Sequence, residues 1–394
     1  MISELELGIE SDHGIYNFDI DIFYKINGRS VTTFNSPVAV LHCDVMKMMG
    51  NDHDDRSSDL EDLATTMGME GRSVYQLARD MAKLGFQAGQ LGRSVEAWQR
   101  MLTEEEITIF LGLAGAMVPA GLRKLISFMI SERMVDCVVS TGANLFHDLC
   151  EGLGVVHYLG DPKADDAALR EEGIDRIFDV YVSEAGLQKG DRYIAEFVKT
   201  LDPGRGYSSR ELMEMLGQNM PAHTLLGSAS RAGVPIYVPA LSDSSIGIGM
   251  VLAWREGHRI VVDQIRDVDE ISQITEKSSQ TGVVFVGGGV PKNFIQQTKV
   301  VADLCGKYRG GHNYAIQYTI DSPHFGGLSG CTFNEGVSWG KISKEARMIQ
   351  VFVDATIALP IVVHALDESG TRRKACPRYA WEEGELSLSY EERR

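Results

Sequence analysis

The chain opens on alternating apolar and polar positions. In YNFDIDIFYKI (16–26) the alternation has period two, which predicts a strand or hairpin. Residues 1–35 are accordingly read as an N-terminal arm. NDHDDRSSDLEDL (51–63) is charged throughout and predicts a solvated loop leading into a helix. Apolar residues at helical spacing then predict helices at 73–84, 93–102 and 119–131, the last opened by Pro119 at a position where its missing N–H costs nothing.

After these helices the pattern becomes a repeated scheme of apolar run, small or polar turn, and helix. It occurs in DCVVSTGANLFHDL (136–149), IYVPALSDSSIGIGMVLAW (236–254), GVVFVGGGVPKNFIQQTKVVADLC (282–305) and MIQVFVDATIALPIVVHAL (348–366). Continuous β-branched runs alternating with helices predict an α/β fold, a parallel sheet with helices on both faces. Residues 36–367 are read as one such domain. The stretch after Asp367 turns charged and reads as a C-terminal tail or surface appendage over 368–394. RGGHNYAIQYTIDSPHFGGLSG (309–330), with His312 and His324, is rich in glycine and is expected to be a loop lining a site rather than core.

Composition narrows the classes. The 394 residues are 44% hydrophobic and 24% charged, as in folded globular proteins. No apolar run approaches the roughly 18 residues of a membrane span, and the acidic start lacks the features of a signal peptide, so a cytoplasmic protein is expected. A net charge of −17 argues against a nucleic-acid partner and suits polycationic ones such as polyamines. The six cysteines contain no CxxC pair, so reduced thiols are expected, with neither zinc nor a disulfide framework. His53, among aspartates, is read as part of a solvated loop rather than a metal ligand.

In parallel α/β sheets, ligands bind at the carboxyl ends of the strands. The turns at 140–143, 242–245, 287–289 and 354–355 fall on that edge. Their glycines and helix starts would let backbone N–H groups approach a pyrophosphate, and Asp243 or Asp354 could meet a ribose. Tight turns without a ligand are the competing explanation, since no GxGxxG follows a strand. His147 and Asp148 are placed at the start of the helix after STGA. There Asp148 compensates the helix dipole and His147 is a candidate ligand contact.

EGVSWGKI (335–342) sets Lys341 close to Trp339, with Glu335 upstream. A lysine that attacks carbon must first lose its proton, and burial beside an indole favours the neutral amine. Trp339 could also hold a cationic amine, with Glu335 as counter-charge. The alternative is an exposed lysine near a packed tryptophan.

This segment resembles the signature of deoxyhypusine synthases, in which the lysine of a Ser-Trp-Gly-Lys-Ile stretch is the nucleophile. Further blocks agree in order: GFQAGQLGRSV (85–95), TIFLGLAG (108–115), STGA (140–143), VPALSDSSIG (238–247), VFVGGGVPKN (284–293) and VDATIALPIVV (353–363). The resemblance implies a Rossmann-like NAD-binding fold assembled as a homotetramer. It also implies transfer of a 4-aminobutyl group from a polyamine such as spermidine, through a lysine Schiff base, to an acceptor amine. The acceptor is a protein lysine in deoxyhypusine synthases proper and a small amine in homospermidine synthases of the same family. By position it assigns Thr141, Gly142, Ala143, Asp243, Gly287, Gly288, Asp354 and Ala355 to NAD. It assigns Lys341 to catalysis and Glu335, Trp339, Asn293 and His147 to substrate. Against the eukaryotic pattern, His147 replaces a glutamate, Ile248 an aspartate, Asn293 a histidine and Leu328 a carboxylate. A non-catalytic NAD-binding paralogue is the alternative. A sirtuin-like deacylase is disfavoured, because its histidine motif and zinc cysteines are missing.

Overall fold

The computed structural model describes residues 72–393, together with the backbone of short antiparallel strand pairs between Leu5 and Val31. The first pair joins Leu5–Asp12 to Ile15–Ile22, which agrees with the alternation at 16–26. The chain divides into two units, 1–64 and 65–394, so the division falls after residue 35. The charged stretch at 51–63, His53 and Cys43 lie outside the described residues.

The larger unit is built on a six-stranded sheet, all parallel: β1 Ile107–Leu113, β2 Cys137–Ser140, β3 Ile236–Tyr237, β4 Gln280–Val286, β5 His312–Thr319 and β6 Ile342–Phe352. Their spatial order is 3-2-1-4-5-6, the doubly wound dinucleotide-binding arrangement, whose topological switch lies between β1 and β4. The continuous apolar runs follow from burial on both faces. Ile109 and Leu111 of β1 and Val284 of β4 enter one core, with Trp98, Leu359 and Val362 from helices. Phe110, Val283 and Phe285 enter the other, with Ile271, Ile274 and Ile295. Period two thus splits each strand between two apolar layers.

Five helices matter for the site: α1 Gly142–Gly152, α2 Ser245–Arg255, α3 Gly289–Leu304, α4 Phe333–Ser338 and α5 Ala355–Glu368. Each begins at or just beyond a turn that follows a strand, except α4, which precedes β6. Helices Val74–Met81 and Phe86–Thr103 match the expected pattern near the start of this unit. Pro119 opens a wide turn, Val118–Leu122, in which Gly121 has φ +90°, so the regular helix starts only at Arg123.

Two expectations are corrected. The 309–330 stretch contains a buried strand, β5, inside the sheet, and His312 is fully enclosed. Its apolar alternation (Tyr314, Ile316, Tyr318 against Ala315) is short and flanked by glycines, which disguised it. Of the two readings of the charged C-terminal stretch, the structure has an ordered appendage rather than a tail. Residues Ala375–Glu382 and Glu385–Glu392 form an antiparallel hairpin with Cys376 and Leu386 buried. Asp136, completely buried, anchors the segment before it: Asp136 accepts from Arg373 at 2.8 Å, from Arg133 at 3.0 Å and from the Ile109 N–H at 2.9 Å. The charge that marked this stretch as surface partly serves a buried ion cluster. The five cysteines of the described residues (Cys137, Cys150, Cys305, Cys331 and Cys376) are free thiols.

Candidate active site

The strand ends deliver their turns to one edge, and the turns are tied to one another. Thr141 donates its N–H to the Leu113 carbonyl at 3.0 Å and its hydroxyl to the Gly115 carbonyl at 2.9 Å, linking the β1 and β2 turns. Asn144 Oδ1 accepts from the Val118 N–H at 3.1 Å. A side chain on Gly142 would overlap that of Ser244, so the β2 turn and the start of α2 approach as closely as they do only with glycine there. Ala143 follows in the first turn of α1, and Asp243 ends a short turn, Leu241–Asp243, with its carboxylate exposed.

Gly287 has φ +72° and donates to the Tyr318 carbonyl at 2.8 Å, which fixes the sharp exit from β4. A Cβ on Gly288 would stand 2.5 Å from Ser329 Cα, and Ser329 Oγ accepts from the Gly289 N–H at 3.0 Å. Asp354 caps α5, accepting from Thr356 N–H at 2.8 Å and Thr356 hydroxyl at 2.6 Å; Ala355 is buried behind it. The structure therefore brings every residue expected at a cofactor to the carboxyl edge, around the switch between β1 and β4. Asp354 carries a structural duty there as well.

Lys341 lies elsewhere. It precedes the first residue of β6, at the amino end of the sheet. Its N–H donates to the Gly336 carbonyl at 2.9 Å and its carbonyl accepts from His312 N–H at 3.0 Å. The backbone is therefore clamped while the side chain extends over the indole, with Nζ 5.2 Å from the Trp339 ring centre. Trp339 is 68% exposed, so within one chain the indole does not bury the lysine. Glu335 forms a capping box at the start of α4: its carboxylate accepts from Thr332 N–H at 3.1 Å, and its own N–H donates to Thr332 Oγ1 at 3.3 Å. One of its oxygens remains for another partner.

The group that joins these two regions was not anticipated from the sequence. Lys292, in the first turn of α3, is fully buried. Its Nζ donates to Gln317 Oε1 at 3.0 Å and to the Cys331 carbonyl at 2.7 Å, with the Phe333 ring centre 5.6 Å away. Gln317 Nε2 donates in turn to the carbonyls of Gly287 and Ser329, both at 2.8 Å. This network connects the glycine turn of β4 to the segment that enters α4 and leads to Lys341. Burial lowers the Lys292 pKa to about 8; the Lys341 charge pushes the same way, opposed by Cys331 and Glu335. One signal was available: a lysine in the first turn of a helix opposes the dipole and needs a reason to be there.

Asn293 follows Lys292 and, with Val290 and Leu328, lines a cavity of about 380 Å³. Ile248 projects from α2 and is 57% exposed. His147 and Asp148 sit in the second turn of α1, not its first. Asp148 compensates a different helix from the one expected: it is buried and accepts from the Leu225 and Leu226 N–H groups at 2.8 and 3.0 Å, which begin helix Leu225–Ala232. Burial raises its pKa to about 7 despite these bonds.

The sequence profile described as deoxyhypusine synthase matches residues 76–366. The chain belongs to the deoxyhypusine synthase family. It is 55% identical over 331 residues to a protein of Methanosarcina acetivorans named "Probable deoxyhypusine synthase 2", covering 82% of this chain and 96% of that one. A protein of the same name from Archaeoglobus fulgidus is 51% identical over 300 residues, 75% of this chain and 98% of that one. The fold is similar to a crystal structure named "putative deoxyhypusine synthase" from Entamoeba histolytica. That likeness has TM-score 0.57 at 19% identity, covering 77% of this chain and 96% of that chain. The deoxyhypusine synthase profile thus spans all six strands and every site residue discussed above. Membership supports a transferase. Among the described residues no helix is long and apolar enough to cross a membrane.

Proposed function

We propose that this chain is an NAD-dependent aminobutyl transferase, with residues 36–367 as its catalytic domain, Lys341 as its nucleophile and a polyamine as donor. The observation that carries the reading is the pairing of two features: a 3-2-1-4-5-6 sheet edge with glycine turns, and Lys341 held over Trp339. The edge suits a dinucleotide because the N-termini of α1 and α3 lie on it at Gly142 and Gly289, a setting that favours a pyrophosphate; Gly142 and Gly288 allow the close packing of Ser244 and Ser329 that shapes those turns. Thr141, Ala143, Gly287 and Ala355 would line the same crevice, and Asp243 and Asp354 would meet hydroxyls. NAD, when bound, would accept a hydride from the donor amine, making it an imine, and would return it to the new imine on the acceptor, so that no net oxidation remains.

The remaining work falls to side chains. Neutral Lys341 Nζ attacks the imine carbon, releases the rest of the donor as a primary amine, and keeps the aminobutyl group as a Schiff base. An acceptor amine then displaces the lysine. Trp339 holds the cationic end of the donor by cation–π attraction, with the free oxygen of Glu335 as counter-charge. Asn293 and His147 also face substrate in this reading. Ile248 and Leu328 supply no charge for an ammonium, so each loses a charge-assisted bond of roughly 1.5–3 kcal/mol. That favours a small-amine acceptor over a protein lysine. The exposed Ile248, Val251 and Trp254 on α2 and the exposed Trp339 support a homotetramer that covers them. A cytoplasmic location belongs to the same proposal. Incubation of purified protein with NAD and spermidine, putrescine or agmatine, followed by product analysis, tests the reading. Absence of any aminobutyl-transfer product with every donor would favour a non-catalytic paralogue.

A further inference from the structure

A chain of hydrogen bonds runs behind α1. His147 Nδ1 lies 2.9 Å from His157 Nε2, and His157 Nδ1 lies 2.9 Å from Glu151 Oε1. The second Glu151 oxygen meets Nε of Arg123. The two imidazole centres are 5.0 Å apart with planes at 60°. His157 begins the strand His157–Leu159, and Glu151 sits one turn beyond His147 on α1, so three elements converge on the relay.

The proton positions follow from valence. Glu151, paired with a guanidinium, is a carboxylate and can only accept, so His157 Nδ1 carries a hydrogen. In its neutral form His157 has one N–H, on Nδ1, and its bare Nε2 then accepts from His147 Nδ1–H. His147 Nε2 is then bare in turn, and none of the described residues bonds to it. Burial and the neighbouring imidazole lower the His147 pKa to about 4, with Glu151 opposing, so its ring is neutral near pH 7.

We propose that His157, oriented by Glu151, is a positioning residue that fixes His147 as a neutral hydrogen-bond acceptor at Nε2, for an O–H or uncharged N–H donor on the bound ligand. This rests on the reading above, which places ligand against His147. The chemistry differs from that of the glutamate in the related pattern. A carboxylate holds an ammonium as well as a hydroxyl, whereas a neutral imidazole nitrogen supplies no charge and selects an uncharged donor. Two groups qualify: a ribose hydroxyl of the cofactor and the neutral nitrogen of an amine substrate.

The test uses the full chain labelled with 15N-histidine. At neutral pH the His147 resonances should show a protonated Nδ1 and a bare Nε2. His157→Leu should lose that signature. His157→Gln should keep it, because its amide can donate to Glu151 and accept from His147. In ligand titrations His157→Leu should weaken binding about ten-fold, while His157→Gln stays near wild type. A change in NAD affinity identifies the ribose as the donor; a change in amine KM identifies the substrate nitrogen. In a His147→Ala background, His157→Leu should add no further loss. A wild-type His147 protonated at Nε2, or a His157→Leu loss that persists undiminished without His147, overturns the proposal. The spectrum needs no ligand, so a fixed tautomer in a chain that binds neither NAD nor amine overturns the ligand assignment alone.

Discussion

The Lys292 side chain donates to Gln317 Oε1 at 3.0 Å, joining the first turn of a helix to the middle of the sheet. The bond places a cation where a helix dipole and an apolar core both oppose it. Lys292 is held near pKa 8 when folded, against about 10.5 in an unfolded chain. Below pH 8 both states are protonated and the burial penalty is complete. Between 8 and 10.5 the native state gives up its proton first, so stability rises with pH through that window. Lys299, buried and also lowered to about 8, adds to the slope. Urea unfolding of the wild type and of Lys292→Met from pH 7 to 10.5 should show this as a difference: the wild type gains stability relative to the variant as pH rises, whereas the buried cysteines, whose pKa values burial raises, act on both chains alike. The exposed acceptors are not abandoned, because Gln350 Nε2 also donates to Gln317 Oε1 and to the Cys331 carbonyl, at 2.9 and 3.2 Å.

Lys341→Arg keeps a positive charge, but a guanidinium cannot form a Schiff base. The variant should bind NAD as the wild type does and give no borohydride-trappable adduct with spermidine, with activity below detection. Full transferase activity in it would make Lys341 a structural residue. Mass spectrometry of the reduced adduct is the measurement.

Gly142→Ala should destabilise the chain by about 1–3 kcal/mol, the usual cost of overpacking, because the new methyl meets the Ser244 side chain. Ser244→Gly in the same chain should recover much of the loss, which denaturant midpoints would reveal. Gly288→Ala has no such rescue, since its methyl would meet the Ser329 backbone. That variant should also lose NAD affinity by calorimetry.

Removing one partner from the Asp136 cluster should be more severe. Arg373→Met leaves a buried carboxylate short of a cation, a change of about 3–5 kcal/mol in comparable sites. Chemical denaturation should show the loss, whereas a surface change such as Arg378→Met should leave the midpoint nearly unmoved.

The sheet was legible because its strands carry apolar residues on both faces, which writes unbroken runs such as VVFV into the chain. Strand β5 was not, since the polar Gln317 and Thr319 interrupt its run and glycines flank it. Gln317 is polar because it serves Lys292 and two turn carbonyls, so the feature that hid the strand is part of the site's framework. The turns at the carboxyl edge could be read from glycine and small residues, whose effect is local. The positions of Lys292 and His157 depended on partners 25 and 10 residues away, in each case on a different element, so no periodicity within one element links them. The order of the C-terminal hairpin was not legible because charge alone does not distinguish a solvated arginine from Arg373, which is buried against Asp136.

That ion cluster joins positions 237 apart, and one side of it lies beyond every residue proposed for cofactor or substrate. A protease acting after Asp367 would remove none of the residues proposed for cofactor or substrate. It would nevertheless leave Asp136 and Arg133 without Arg373 and uncover the apolar surface beneath the hairpin. The hairpin is therefore a structural support of the sheet's core, and its removal would be felt at Asp136, far back along the chain.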